Sequence, residues 1–236
     1  MDGWLGLHLP SENMYLNMKD WKRIQVIDHH TRGDLFLPVH PKGVVVFVHG
    51  SGSDRHSIRN NFIAQTLVQE GFAALLFDLT TTEESIIGLF DLEKFAHRVS
   101  SWVEKIQQHE EIAGIPVFLF GGSTGAAIAI RASIAHPNLF QGIVSRGGRI
   151  DLVSHLIPQL ACPILLIVGG EDTEVLRLNQ EAFTDMRCQK KINIIAGAGH
   201  LFHEHGSMDE VAKVTKDWLN SLIPSKRPKL KTNSHA

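Results

Sequence analysis

Four short apolar runs punctuate the chain: VVVFV at 44–48, AALLF at 73–77, VFLF at 117–120 and ILLIV at 164–168. None alternates with polar residues, so each reads as a strand covered on both faces, the pattern of a parallel sheet packed between helices. Residues 142–144 and 191–195 are two further strand candidates. The stretch 23–37, broken at Thr31-Arg32-Gly33-Asp34, reads as an N-terminal hairpin. The total is about eight strands. Between them Leu92, Phe95, Ala96, Val99, Val103 and Ile106 recur at steps of three and four, and so do Met208, Val211, Thr215, Trp218 and Leu222. Both sets predict amphipathic helices. Repeated strand, helix, strand units with right-handed crossovers predict an α/β fold with a doubly wound, mostly parallel sheet and helices on both faces. Ligands in such sheets bind beyond the carboxyl ends of the strands.

At 236 residues the chain suits one domain, expected over 1–224 with the hairpin at 22–38 inside it, followed by a frayed basic tail at 225–236. A net charge of -2 gives no electrostatic basis for bulk binding to nucleic acid or anionic membranes, so a small-molecule partner is expected. No charged segment followed by an apolar one opens the chain, and no apolar run approaches the length of a membrane span. Cys162 and Cys188 are the two cysteines, too few for a disulfide framework or a thiolate zinc site. A cytoplasmic location is the expectation.

Candidate chemistry gathers at the predicted strand ends. After the strand at 117–120 comes Gly121-Gly122-Ser123-Thr124-Gly125 and then the helix-forming run at 126–130. GxSxG between a strand and a helix forces its serine into a strained turn, and the small flanking residues let strand and helix approach. Ser123 is thus a candidate nucleophile, with an ordinary helix N-cap as the other reading. An acid is then required at a later strand end. The run 164–168 leads into Gly169-Gly170-Glu171-Asp172, where Asp172 can orient a histidine or merely cap the helix that starts near Thr173; Glu171 is the reserve. The last strand runs into Gly197-Ala198-Gly199-His200, and His200 is the expected base ahead of His203 and His205. These three histidines lack a helical ligand pair, and no metal is expected. Finally, His49-Gly50-Ser51-Gly52-Ser53 follows the strand at 44–48. Its free N–H groups suit an oxyanion hole made by the N–H of Ser51, or alternatively Gly52, with that of Thr124.

HGSGS, GGSTG, GGED and GAGH, in that order and each at a strand end, resemble the dienelactone hydrolase branch of the α/β-hydrolases over about 23–222. The resemblance implies an esterase-like hydrolase that uses Ser123, Asp172 and His200 without a cofactor. The namesake enzymes carry cysteine at the nucleophile, so a serine variant is implied here. Cys162 precedes Pro163 at a strand entry, the opposite edge of the sheet, and reads as core packing.

Only residues 145–162 separate the two strands after the nucleophile helix, which leaves no room for a lid domain. A shallow cleft is expected, roofed by the loops 79–88 and 146–155 and suited to a small ester, lactone or thioester. Arg55, Arg59, Arg146 and Arg149 fall near its mouth, where they either hold a substrate carboxylate or pair with acids such as Asp54, Asp78 and Asp151. An acyltransferase and a non-catalytic small-ligand-binding module remain as alternatives.

Overall fold

The computed structural model describes residues 21–28, 30–86 and 91–223, so the tail expected from 225 lies outside them. Its strands are β1 (Trp21–Asp28), β2 (Thr31–Pro38), β3 (Val44–Val48), β4 (Ala73–Phe77), β5 (Val117–Gly122), β6 (Gly142–Arg146), β7 (Ile164–Gly169) and β8 (Lys190–Ile195). The helices are α1 (Ile58–Gln69), α2 (Thr82–Ile86), α3 (Leu92–Ile106), α4 (Thr124–Ala135), α5 (Thr173–Asp185) and α6 (Ser207–Leu222), with a 3-10 segment at Ile150–Gln159. The eight strands form one sheet in the order β1-β2-β4-β3-β5-β6-β7-β8. β2 runs antiparallel to both neighbours, and β4, β3 and β5 to β8 are parallel. The winding reverses at β3, which is where an open α/β sheet leaves a crevice beyond its strand ends.

Alternation within β3 explains its unbroken apolar run. Val44, Val46 and Val48 join a core with Val99 and Trp102 of α3 and Ala126 of α4. Val45 and Phe47 face the other core, with Ile63 and Leu67 of α1 and Val211 and Leu219 of α6. Both faces are dry, so side chains of either parity must be apolar. Among the described residues no lid domain interrupts this architecture; β6 and β7 are bridged by the 3-10 segment alone.

The hairpin forms, but its turn does not fall at Thr31-Arg32-Gly33-Asp34. Those residues lie in β2, paired in register with 25–28 and then with β4, and the reversal falls between Asp28 and Thr31, where His30 takes φ 67°. Gly33 serves a distant contact instead. A Cβ there would stand 2.8 Å from the Trp102 ring, whose Nε1 donates to Thr31 Oγ1 at 3.1 Å.

Two local features fix the strand ends where the candidate residues lie. At the exit of β3, His49 is 4% exposed; Leu79 N–H donates to its Nε2 at 2.9 Å, leaving Nδ1–H to donate to Gly50 O, also 2.9 Å. This ties the loop after β3 to the loop after β4. The second feature is the seat of α4 on β3: a Cβ on Gly125 would stand 2.1 Å from Val48 O and 2.7 Å from His49 O.

Two outcomes are expected. Gly125→Ala forces backbone apart in a packed interior and destabilises by roughly 3 kcal/mol or more, which calorimetry reads as a Tm lower by about 6–12 °C. Burial pushes His49 below its ordinary 6.5, so the unfolded chain takes up a proton there that the folded chain refuses. Its contribution to stability is complete above that value and is lost as pH falls toward the depressed folded value. Urea midpoints from about pH 8 to about pH 5 are therefore expected to fall more steeply in the wild type than in His49→Gln, which keeps an acceptor for Leu79 N–H and does not titrate.

Candidate active site

Ser123 joins β5 to α4 with φ 52° and ψ -123°, a left-handed φ that costs a non-glycine residue energy. The conformation is held from several sides. Ser123 N–H donates to Arg146 O at 3.0 Å, and its carbonyl accepts from Ala126 N and Arg149 N, both at 3.1 Å. Ahead of it, a Cβ on Gly121 would stand 2.5 Å from Ala126 Cα. Ser123 occupies the N-cap position of α4, yet its side chain makes no capping hydrogen bond. The hydroxyl is therefore not consumed by the helix.

The loops after β7 and β8 are laced together. Gly170 N donates to Ile195 O at 2.8 Å and Glu171 N to Ala198 O at 2.9 Å, and a Cβ on Gly169 would stand 2.3 Å from Ala198 O. This lacing sets Asp172 beside His200, with Asp172 Oδ2 and His200 Nδ1 2.6 Å apart. Asp172 holds the N-cap position of α5 but makes no capping bond. Its carboxylate goes to the imidazole. Glu171 is exposed. The His200 ring lies against Gly147, whose Cβ would meet Cε1 and Nδ1 at 3.5 Å, and Gly147 follows the residue that accepts from Ser123 N–H. The side chains of Asp172 and His200 are 13% and 36% exposed, so the acid is shielded while the imidazole reaches solvent. Among the described residues no hydrogen bond joins Ser123 Oγ to His200, whose Nδ1 is taken by Asp172.

The loop after β3 brings Ser51 against Thr124: Ser51 N–H donates to Thr124 Oγ1 at 2.8 Å. Both backbone donors named from the sequence thus lie at one sheet edge with Ser123, one of them engaged by a hydroxyl. Gly52 takes φ 71° in the same turn.

The four arginines meet different fates. Arg55 is bound up with acids from within β2 and from the end of β4: its Nη1 pairs with Asp78, its backbone N–H donates to Asp78 Oδ1 at 3.1 Å, and its Nε lies 3.4 Å from Asp34 Oδ2. Arg149 is chelated by Asp151 through two bonds of 2.9 Å. Arg59 and Arg146 have no such partner among the described residues, and the Nε atom of each is buried and unbonded. The structure thus separates a candidate set that composition could not divide.

His203 and His205 are exposed beyond the turn. Among the described residues no group of three or more His, Cys, Asp or Glu side chains is placed to hold a metal ion, and no helix is long and apolar enough to cross a membrane. Cys162 is buried at the far edge, its thiol pushed up to about 12 by burial. The expected roof is more ordered than a loop: part of 79–88 is α2, whose Glu84 pairs with Arg98, Gly88 lies outside the described residues, and the 3-10 segment fills much of 146–155. Two contributors were not foreseen. Glu204 Oε1 accepts from Gly199 N at 3.1 Å and shapes the His200 turn, and Phe202, with φ 53°, places its ring under Arg146. Only their closeness to His200 in sequence hinted at either.

Residues 39–160 match the family described as serine aminopeptidase, S33. A dienelactone hydrolase from Anabaena variabilis superposes with a TM-score of 0.81 at 36% identity, covering 86% of this chain and 98% of that one. A Bradyrhizobium protein provisionally named a 2-oxo-3-(5-oxofuran-2-ylidene)propanoate lactonase is 30% identical over 68% of this chain and 75% of its own length. A Mycobacterium tuberculosis protein provisionally named a phosphoribosyl transferase is 44% identical over 79% of this chain, but the match spans only 43% of that protein. With the serine elbow, the laced acid and histidine loops and the lidless sheet already in place, these likenesses establish that the chain belongs to the α/β-hydrolase superfamily, as a dienelactone hydrolase-like member matching the serine aminopeptidase S33 family.

Proposed function

We propose that the protein is a serine hydrolase that cleaves a small carboxylic ester, lactone or thioester through an acyl-enzyme. The observation that carries this reading is the 2.6 Å contact between Asp172 Oδ2 and His200 Nδ1, made by a residue that forgoes capping α5 to make it. An acid so placed fixes the imidazole with its proton on Nδ1, leaving Nε2 free to accept one. In the proposed cycle, His200 Nε2 takes the Ser123 proton as Oγ attacks the carbonyl carbon. The tetrahedral intermediate collapses as the imidazolium returns that proton to the leaving oxygen or sulfur. Water, deprotonated by the same Nε2, then attacks the acyl-enzyme and releases acid and free Ser123.

Charge developing on the carbonyl oxygen needs donors already in place. Thr124 N–H and Ser51 N–H are the proposed pair, and the Thr124 hydroxyl that now accepts from Ser51 N–H must give way to the oxyanion. The lactonase name of the Bradyrhizobium relative and the dienelactone hydrolase name of the Anabaena structure support ester and lactone cleavage as the reaction class. The free thiols of Cys162 and Cys188 suit the reducing cytoplasm, where we place the enzyme.

Intact-mass analysis after exposure to an uncharged fluorophosphonate tests nucleophile and base together. Stoichiometric labelling of the wild type is expected, with none in Ser123→Ala and labelling slowed at least about 100-fold in His200→Ala. Asp172→Asn presents the wrong tautomer and is expected to lower kcat for an activated ester by about 10³–10⁴-fold with folding intact. A folded wild type that neither takes the label nor turns over any activated ester sinks the reading and makes the chain a small-ligand-binding module.

A further inference from the structure

A threonine hydroxyl accepts and donates at once, and inside a helix its proton can be spent on the carbonyl four residues back. Thr66 of α1 and Thr184 of α5 do this, donating to Phe62 O at 3.0 Å and to Gln180 O at 3.1 Å. Thr124 is placed differently. It opens α4, so the residue four positions back is Phe120, inside β5. Its Oγ1 accepts from Ser51 N–H at 2.8 Å, and among the described residues nothing accepts its own proton, which is left to solvent or to whatever enters the site.

The surroundings put that proton beside the reacting atoms. Gly50 lies so close over the elbow that a Cβ there would stand 3.0 Å from Gly122 O, 3.2 Å from Ser123 Cβ and 3.4 Å from Thr124 Oγ1. The carbon that carries the nucleophile and the Thr124 hydroxyl therefore flank one point, on the side of the elbow covered by the loop after β3. His49 ties that loop to Leu79 N–H and to its own Gly50 O, so its approach to the elbow is fixed. Ser51 N and Thr124 Oγ1 are already in contact, and Thr124 N belongs to the same residue as that hydroxyl. An oxygen drawn to both N–H groups is thus brought up against the hydroxyl as well.

We infer that the Thr124 side chain is a third donor of the oxyanion hole: its hydroxyl holds Ser51 N–H in the resting protein and turns its proton onto the oxyanion once that oxygen takes Ser51 N–H over. As Ser123 Oγ bonds to the carbonyl carbon, the π pair moves onto oxygen and the serine proton passes to His200 Nε2. The Thr124 proton stays on its own oxygen and hydrogen-bonds the new anion. Ser51 N–H is then never stranded, having a hydroxyl to donate to before the reaction and an oxyanion during it. Nucleophile and reaction class come from the serine hydrolase reading, on which this inference rests.

The test compares Thr124→Val, which keeps the shape and the backbone N–H without the hydroxyl, with Thr124→Ser, which puts the hydroxyl back. On 4-nitrophenyl butyrate, Thr124→Val is expected to lose about 100-fold in kcat with KM changed by no more than about threefold, and Thr124→Ser to recover most of the loss. Thr124→Ala, which brings no branched methyl, should match Thr124→Val. A spectroscopic readout isolates the oxyanion: 1,1,1-trifluorohexan-2-one adds to Ser123 as a hemiketal, and the pH at which the hemiketal oxygen ionises is followed by its fluorine resonance. That pH should be higher in Thr124→Val than in the wild type by about 1–2. A Thr124→Val protein as fast as the wild type, or faster, overturns the inference, because the hydroxyl is then only a rival of the oxyanion for Ser51 N–H. Slow turnover with a hemiketal that ionises as in the wild type, or that Thr124→Ser does not restore, also overturns it and makes the hydroxyl a latch for the loop after β3. In both of these cases the wild type still takes the fluorophosphonate label. A folded wild type that takes no label and forms no hemiketal fails earlier, at the hydrolase reading, and this inference falls with it.

Discussion

The closeness of α4 to the ends of β3 and β5 governs the rest of the site. Helix and strands meet where there is no space for a methyl group at Gly121 or Gly125, so backbone rests on backbone. A chain that must leave a strand and enter a helix over so short a distance cannot keep the intervening residue in a relaxed conformation, and Ser123 absorbs the misfit in its φ of 52°. Contacts from β6 and from the turn beyond it then hold that residue through its N–H and carbonyl. The strain is not stored in a flexible loop; it is clamped by β6, the turn beyond it and the first turn of α4.

A second economy operates at the other strand ends. Asp172 sits where a helix-capping residue belongs and gives its carboxylate to His200 instead. The loss to α5 is a modest capping contribution, and the gain is an imidazole whose orientation is set by loops that are themselves cross-bonded. Arg146 has a similar double position, its carbonyl steadying Ser123 while its guanidinium has no counter-charge among the described residues. Local stability has been given up at the same edge of the sheet where the chemistry gathers, as is usual for sites under functional constraint.

Much of this was legible in the sequence because steric and burial requirements leave direct marks on residue choice. Strands covered on both faces must be apolar throughout, and β3, β4, β5 and β7 were readable for that reason. The elbow demands small residues around a serine, and GGSTG supplies them. What escaped was decided by partners distant in sequence. Thr31-Arg32-Gly33-Asp34 looks like a turn, yet Gly33 is small because the Trp102 ring lies on it. Arg55 and Arg59 are the same residue type only four positions apart, and nothing local says that Asp34 and Asp78 converge on the first and leave the second alone. Asp172 could be found from its place after β7, but whether it capped or oriented depended on how β8 returns. Phe202 was hidden because its contact with Arg146 joins two separate strand exits.

The bridge between β6 and β7 is a 3-10 segment rather than an inserted domain. Among the described residues the connection brings no inserted body that would have to swing aside from these strand ends, the arrangement by which lids slow many enzymes. The candidate site is bordered on this side by side chains of the segment itself, so exchanging a single residue there alters the border without rebuilding a domain.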